Sequence, residues 1–203
     1  MRTIDKILDN VVKEVELYGR SGADSVYITN MSFTIAEEDF DVPVDADIDG
    51  AVVDFDWFLK SAEKGYDISH PSPDKSFWLR HFGKDSYAYG ASWRLQELYD
   101  QLAKPDAWRR CVLVNPRSID PPCIMCYQFL NDGNRVLDVI VTMRSSDTKK
   151  VLPQDVLMTW FLLKHVANAM CLERGSMTFN IANAHVYYED CEWQEEFTID
   201  GLD

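Results

Sequence analysis

Cys123-Ile124-Met125-Cys126-Tyr127-Gln128-Phe129-Leu130 and Arg135-Val136-Leu137-Asp138-Val139-Ile140-Val141-Thr142-Met143 flank Asn131-Asp132-Gly133-Asn134. Two runs rich in β-branched and aromatic residues around an Asp-Gly turn signal predict a pair of strands. Toward the C-terminus, Pro153 can start a long helix from Gln154 to about Leu172, with Gly175 just past its end, and Ser176 to Tyr188 reads as a long strand. Toward the N-terminus, Arg109 to Asn115 reads as a short strand and Trp93 to Leu102 as a helix ended by Lys104-Pro105. Gly65 to Ser86, with Pro71 and Pro73, reads as a surface excursion. Val52 to Lys60 reads as a helix and Ser25 to Ile35 as a strand; Ile4, Leu8, Val11, Val12 and Val15 mark a helix over 3–18. Runs of strands mixed with helices, without βαβ alternation, predict an α+β fold.

The 203 residues suit one domain with a single core. With 46% hydrophobic, 12% aromatic and 27% charged residues, the composition is that of a globular protein. No apolar run approaches the ~18 residues that would span a membrane. Met1 to Asn10 carry Asp5 and Asp9 in an amphipathic pattern and do not read as a secretory signal. Five cysteines, an odd number without framework spacing, point to a reducing cytoplasm. A net charge of -14 argues against general nucleic-acid affinity. It leaves room for a small anionic ligand, because a mononucleotide phosphate needs only a few arginines.

Cys123 follows proline at the mouth of a predicted strand, where nearby Arg109, Arg110 and Arg144 could lower a thiol pKa. A free cysteine is otherwise a small buried hydrophobe, which is how Cys111 and Cys171 read. Cys126, three residues on, projects to the opposite face of a regular strand. His185 and Tyr187 share one face of the last long strand, and taken alone they read as a core pair.

In order and interval these segments resemble the thymidylate synthases and deoxycytidylate hydroxymethylases, from Arg20 nearly to the end of the chain. Pro122-Cys123 with Gln128-Phe129 is similar to the family's nucleophile segment, and Arg144-Ser145-x-Asp147 to its phosphate and folate segment. His185-x-Tyr187 resembles the sugar-binding pair, and Trp108-Arg109-Arg110 the arginines that reach a partner subunit's site. Trp57-Phe58-Leu59, Trp78, Tyr89-Gly90 and Trp93-Arg94 fall in family order, and 197–203 resembles the family's last strand.

The resemblance implies a twisted, mixed or antiparallel sheet with flanking helices, in a homodimer packed sheet to sheet. It implies 5,10-methylenetetrahydrofolate as one-carbon donor, facing Trp78 and Asp147, and a pyrimidine mononucleotide as substrate. Cys123 would add to carbon 6. Arg20, Arg144 and Ser145 would hold the phosphate, with Arg109 and Arg110 from the partner, and Tyr89, Gln128, His185 and Tyr187 would complete the nucleotide site.

Departures from the family pattern sharpen the expectation. The uracil-reading asparagine, eleven residues after the arginine of the Arg-Ser segment, is Asp155. An ionised aspartate only accepts hydrogen bonds, which suits cytosine's amino group and a protonated ring nitrogen. Its bland alternative is a helix-start residue after Pro153. The family's catalytic glutamate is Asp54, Val151 replaces a glycine, and Lys149-Lys150 replaces a more apolar pair. The stretch from Tyr187 to Phe197 is short, and the chain stops at Asp203 where relatives continue into a closing tail. The resulting expectation is 5-hydroxymethylation of deoxycytidylate in the cytoplasm, as in phages that make modified DNA within a host. Its rivals are methylation of the same base, an ordinary deoxyuridylate enzyme, and a nucleotide-binding relative with weak turnover.

Overall fold

A computed structural model describes residues 2–65, 68–82, 93–104, 110–115, 122–131, 133 and 135–191. Helix α1 (Thr3–Tyr18) turns its buried Ile4, Leu8, Val11 and Val15 onto strands β2 (Ser25–Ile35) and β7 (Glu173–Tyr187). Between α1 and β2 lies a two-residue strand, β1 (Arg20–Ser21). Helix α2 (Ile48–Lys64) is longer than expected at both ends. Asp47 caps it by accepting from the Gly50 N–H at 2.9 Å, and Gly65, at φ 70°, ends it in the left-handed conformation.

The expected surface excursion after α2 is corrected. It contains a 3-10 turn (Pro73–Lys75) and helix α3 (Phe77–Phe82), with Phe77 and Trp78 buried. Helix α4 (Leu95–Leu102) leads to strands β3 (Cys111–Val114), β4 (Ile124–Leu130), β5 (Val136–Met143) and the short β6 (Ser146–Asp147). Helix α5 (Leu152–Ala169) follows, with Pro153 in its first turn as expected, and then β7.

These strands form one seven-stranded mixed sheet in the order β1-β2-β7-β5-β4-β3, with β6 also on β7. The neighbours β2/β7, β4/β5 and β3/β4 are antiparallel, whereas β5/β7 and β6/β7 are parallel. The path β5-α5-β7 is therefore a βαβ unit, which the sequence pattern did not suggest. Gly175 lies inside β7 rather than after a helix. A Cβ there would sit 2.2 Å from Asp138 Oδ1, which already accepts from the Ser176 N–H and Oγ. The core lies between α5 and the sheet, where Phe129, Val141, Leu157, Leu163 and Phe179 are buried. No described helix is long and apolar enough to cross a membrane.

Candidate functional site

The ends of β4, β5, β6 and β7 gather six of the expected site residues, Cys123, Arg144, Ser145, Asp147, His185 and Tyr187. The Arg144 N–H donates to the Cys123 carbonyl at 2.8 Å, and Arg144 Nε donates to the Pro122 carbonyl at 3.2 Å. The segment after β5 is thus tied to the residues that open β4. Ser145 Oγ lies 3.3 Å from His185 Nδ1, and the Thr148 N–H and hydroxyl both donate to the His185 carbonyl. Asp147 Oδ1 accepts from the N–H groups of Lys149 and Lys150, which bends the chain into α5. Tyr187 meets His185 edge to face at 5.2 Å. Burial first, then the charges of Asp147, Asp24 and Cys123, raise the Tyr187 phenol above its ordinary value, so it stays protonated beside the thiol.

Strand register adds Arg20 to the same line. Arg20 pairs with Tyr27, Tyr27 with His185, and His185 with Asp147. Residues directly opposite in neighbouring strands share a face, so these four form one transverse row. Arg20 is exposed at the end of the row, free of the sheet's core.

A β-bulge sits where β4 begins, between Ile124 and Cys126. Ile124 and Tyr127, three residues apart, are both buried. The regular alternation expected to set Cys123 and Cys126 on opposite faces is therefore broken, and spacing alone no longer separates the two thiols. Gln128 alternates with buried Tyr127 and Phe129 and projects from the other face of the sheet, away from α5. Arg110 is exposed just before β3, while Arg109 and Tyr89 lie outside the described residues.

Two aspartates occupy apolar stripes of helices and meet opposite fates. Asp54 lies in the buried stripe Ala51, Asp54, Trp57, Phe58 and Ser61 of α2. Its Oδ1 accepts from Ser76 Oγ at 2.5 Å and meets His70 Nε2 at 3.0 Å. Its Oδ2 accepts from the N–H groups of Phe77 and Trp78 at 2.9 and 3.3 Å. Because the Ser72 N–H donates to His70 Nδ1, a neutral His70 ring carries its hydrogen on Nε2 and donates it to Asp54. Burial raises the Asp54 carboxyl above its ordinary value, and the bonds from Ser76, Trp78 and His70 pull it back. Asp54 thus anchors the start of α3. Sequence reasoning missed His70, since a lone histidine before proline carries no periodic signal.

Asp155, in the first turn of α5, is fully buried, and neither of its oxygens has a hydrogen-bond partner among the described residues. Burial raises its carboxyl well above the ordinary value. Thr159, one turn on, is also fully buried and its hydroxyl is unpartnered. Tyr127, facing them from β4, is held far above the usual phenol range by burial first and then by the Asp155 charge, with slight easing by Thr159. Sequence reasoning also missed Tyr127 and Thr159, although the i,i+4 spacing of Thr159 from Asp155 was available.

Trp78, expected at the folate, is 2% exposed and packs edge to face on Phe77 at 5.2 Å. A cavity of about 530 Å³ beside it is lined instead by Phe77 and His81, stacked at 4.0 Å, with Arg80, Lys149, Lys150 and Asp47. That volume suits a drug-sized ligand; Asp45 also lines it, Arg80 is ion-paired with Asp47, and Lys150 with Glu189 and Asp190. A second cavity, of about 510 Å³ between α2, α4 and α5, is lined by Leu59, Trp93, Arg94, Tyr99 and His165, with none of the clustered residues.

A family model described as thymidylate synthase matches residues 1–198. A protein of Methanopyrus kandleri, provisionally named a thymidylate synthase, is 29% identical over 161 residues, which are 75% of this chain and 71% of its own.

Proposed function

This chain belongs to the thymidylate synthase family, and from that premise we propose that it transfers a one-carbon unit to carbon 5 of deoxycytidylate, giving the 5-hydroxymethyl product. The family's reaction is folate-dependent one-carbon transfer to carbon 5 of a pyrimidine nucleotide, with methylenetetrahydrofolate as the donor. The observation that carries the choice of base is Asp155, a buried carboxyl whose two oxygens are left without partners. An unpaired buried group costs roughly 1–3 kcal/mol, so a ligand that supplies the missing donors is worth at least that much.

Cys123 thiolate adds to carbon 6, and the electron pair of the 5,6 double bond moves to carbon 5. Asp155, whose carboxyl burial raises well above its ordinary value, faces N3 and the amino group of cytosine. In the complex the proton lies on N3, the carboxylate accepts from N3–H and from the amino group, and the ring becomes a better acceptor of the thiolate. Arg144 and Ser145 hold the phosphate with Arg20 at the end of the His185 row, and His185 with Tyr187 hold the sugar. Tyr187, kept protonated, retains an O–H to donate to the sugar. The bound folate supplies the one-carbon unit at the methylene level. Phe77, His81 and Lys150 would hold it, with Asp147 fixing the turn that presents Lys149 and Lys150. Once the carbon 5 proton and tetrahydrofolate have left, water adding to the exocyclic methylene on carbon 5 completes the hydroxymethyl group, and Cys123 departs as the 5,6 double bond returns.

A homodimer completes the proposed site. The face carrying Cys126, Gln128 and Thr142 has no described helix over it, and exposed Val112 and Val114 edge the sheet. A second copy packed there would bring Arg110, and Arg109 beside it, to the partner's phosphate. One domain spanning the chain is part of the same proposal.

A neutral Asp155 has one donor and one acceptor and can also face uracil, so a deoxyuridylate activity is the second reading. Product mass spectrometry decides between them. The protein is incubated with methylenetetrahydrofolate and dCMP, CMP or dUMP in turn. The expected product is 5-hydroxymethyl-dCMP. Product from dUMP alone would overturn the cytosine reading. Nucleotide binding without tritium release from carbon 5 would favour the weak relative.

A further inference from the structure

Asp155 does not stand alone in the sheet–helix interface. Asp155 and Thr159 are one turn apart on α5 and both fully buried, and Tyr127 on β4, 2% exposed, faces them. A buried threonine in a helix ordinarily satisfies its hydroxyl on the carbonyl four residues back. Here that carbonyl belongs to Asp155, yet Thr159 Oγ1 has no bonded partner. Tyr127 lies close enough to Thr159 for the two hydroxyls to interact, which eases the upward shift of the phenol. Three polar side chains thus converge in the apolar core, and both Asp155 oxygens and the Thr159 hydroxyl have their hydrogen-bonding capacity unspent among the described residues.

We propose that Tyr127 and Thr159 are positioning residues for Asp155, a hydroxyl relay that steadies its carboxylate against a 4-aminopyrimidine and so excludes uracil. The inference rests on the cytosine reading above. Tyr127, neutral at every working pH, donates its O–H to Thr159 Oγ1. The Thr159 O–H then donates to one Asp155 oxygen, and loose hydrogen bonds of this kind tighten when substrate arrives. A donor behind the carboxylate favours its charged form. The charged form offers only lone pairs to the base. The amino group and protonated N3 of cytosine satisfy them, whereas the carbonyl oxygen of uracil opposes them. Without the relay, Asp155 stays a neutral acid that reads both bases.

The test is kcat/KM on dCMP and on dUMP for the wild type, Tyr127→Phe, Thr159→Val and Thr159→Ser, each checked for folding by thermal melting. Tyr127→Phe and Thr159→Val are expected to lower the dCMP-to-dUMP ratio roughly 10-fold, as lost hydrogen-bond discrimination does. Thr159→Ser keeps the hydroxyl and is expected to keep the ratio. A merely structural role would lower both activities together and leave the ratio still. An unchanged ratio in both hydroxyl-free variants, or a serine variant that falls as far as the valine one, overturns the relay. Should Thr159→Val fail to fold, Tyr127→Phe and Thr159→Ser decide by the same criteria. A wild type that favours dCMP while the variants keep its ratio sinks the relay alone; a wild type inactive on dCMP sinks the relay and the cytosine reading together.

Discussion

Asp54 and Asp155 are both fully buried, both on the apolar stripe of a helix, and both raised above the ordinary carboxylate value by burial. Four donors surround Asp54, from His70, Ser76, Phe77 and Trp78. None surrounds Asp155. Burial by itself therefore does not identify a functional carboxyl; the balance of its hydrogen bonds does. A saturated carboxylate has spent its lone pairs on holding the chain in place. An unsaturated one is a debt that only a ligand or a proton can clear. His70 and the start of α3 reach in to Asp54.

The largest effect that sharpens this comparison is at the residue meant to do chemistry and nothing else. Cys123→Ser is expected to lower turnover on the order of 10⁴-fold or more, because a hydroxyl at its ordinary pKa is a poor nucleophile. Its melting temperature and nucleotide binding should stay near wild type. If Cys126→Ser is the inactivating change instead, the thiol assignment is wrong, and the bulge at Ile124/Cys126 makes that comparison necessary.

Next comes stability. Asp54→Ala strands the four donors around a cavity and is expected to destabilise the fold by about 3 kcal/mol in urea titration. Asp155→Asn removes a desolvated carboxyl that has no partner, and is expected to stay within about 1 kcal/mol of wild type or to rise above it. The same substitution should shift relative activity from dCMP toward dUMP. Equal destabilisation by the two changes would erase the distinction drawn between the two aspartates.

The smallest effect is in the pH dependence of stability. Asp155 has a folded-state pKa raised above the ordinary 3.8. Its favourable contribution is then present in full below that value and is lost as pH rises through the folded-state pKa. Wild-type urea midpoints should fall across that window, from the ordinary carboxylate range upward. Asp155→Asn should flatten the slope. A slope identical in the two proteins would mean that Asp155 is not the group titrating there.

Legibility in the sequence varied from element to element. The apolar spacing of Ile4, Leu8, Val11 and Val15 placed α1 within its observed bounds, and the alternation over 25–35 placed β2. Pro153 marked the start of α5, and motif spacing singled out Asp155 before any coordinates. By contrast α3 was hidden among prolines, and β1 and β6 are two residues each, too short to show a period. The parallel pairing of β5 with β7 left no mark in either strand's own pattern.

What the sequence by itself determined is local: the phase of each long helix and strand, the order of the segments, and which residue types stand at the motif positions. These follow from periodicity, which records how each stretch divides between core and solvent. Tertiary structure decided the rest. It saturated Asp54 with residues 16 to 24 positions away, left Asp155 bare, and set Arg20, Tyr27, His185 and Asp147 in one row. Whether a buried polar atom finds a partner depends on atoms brought from distant parts of the chain, and no local pattern carries that information.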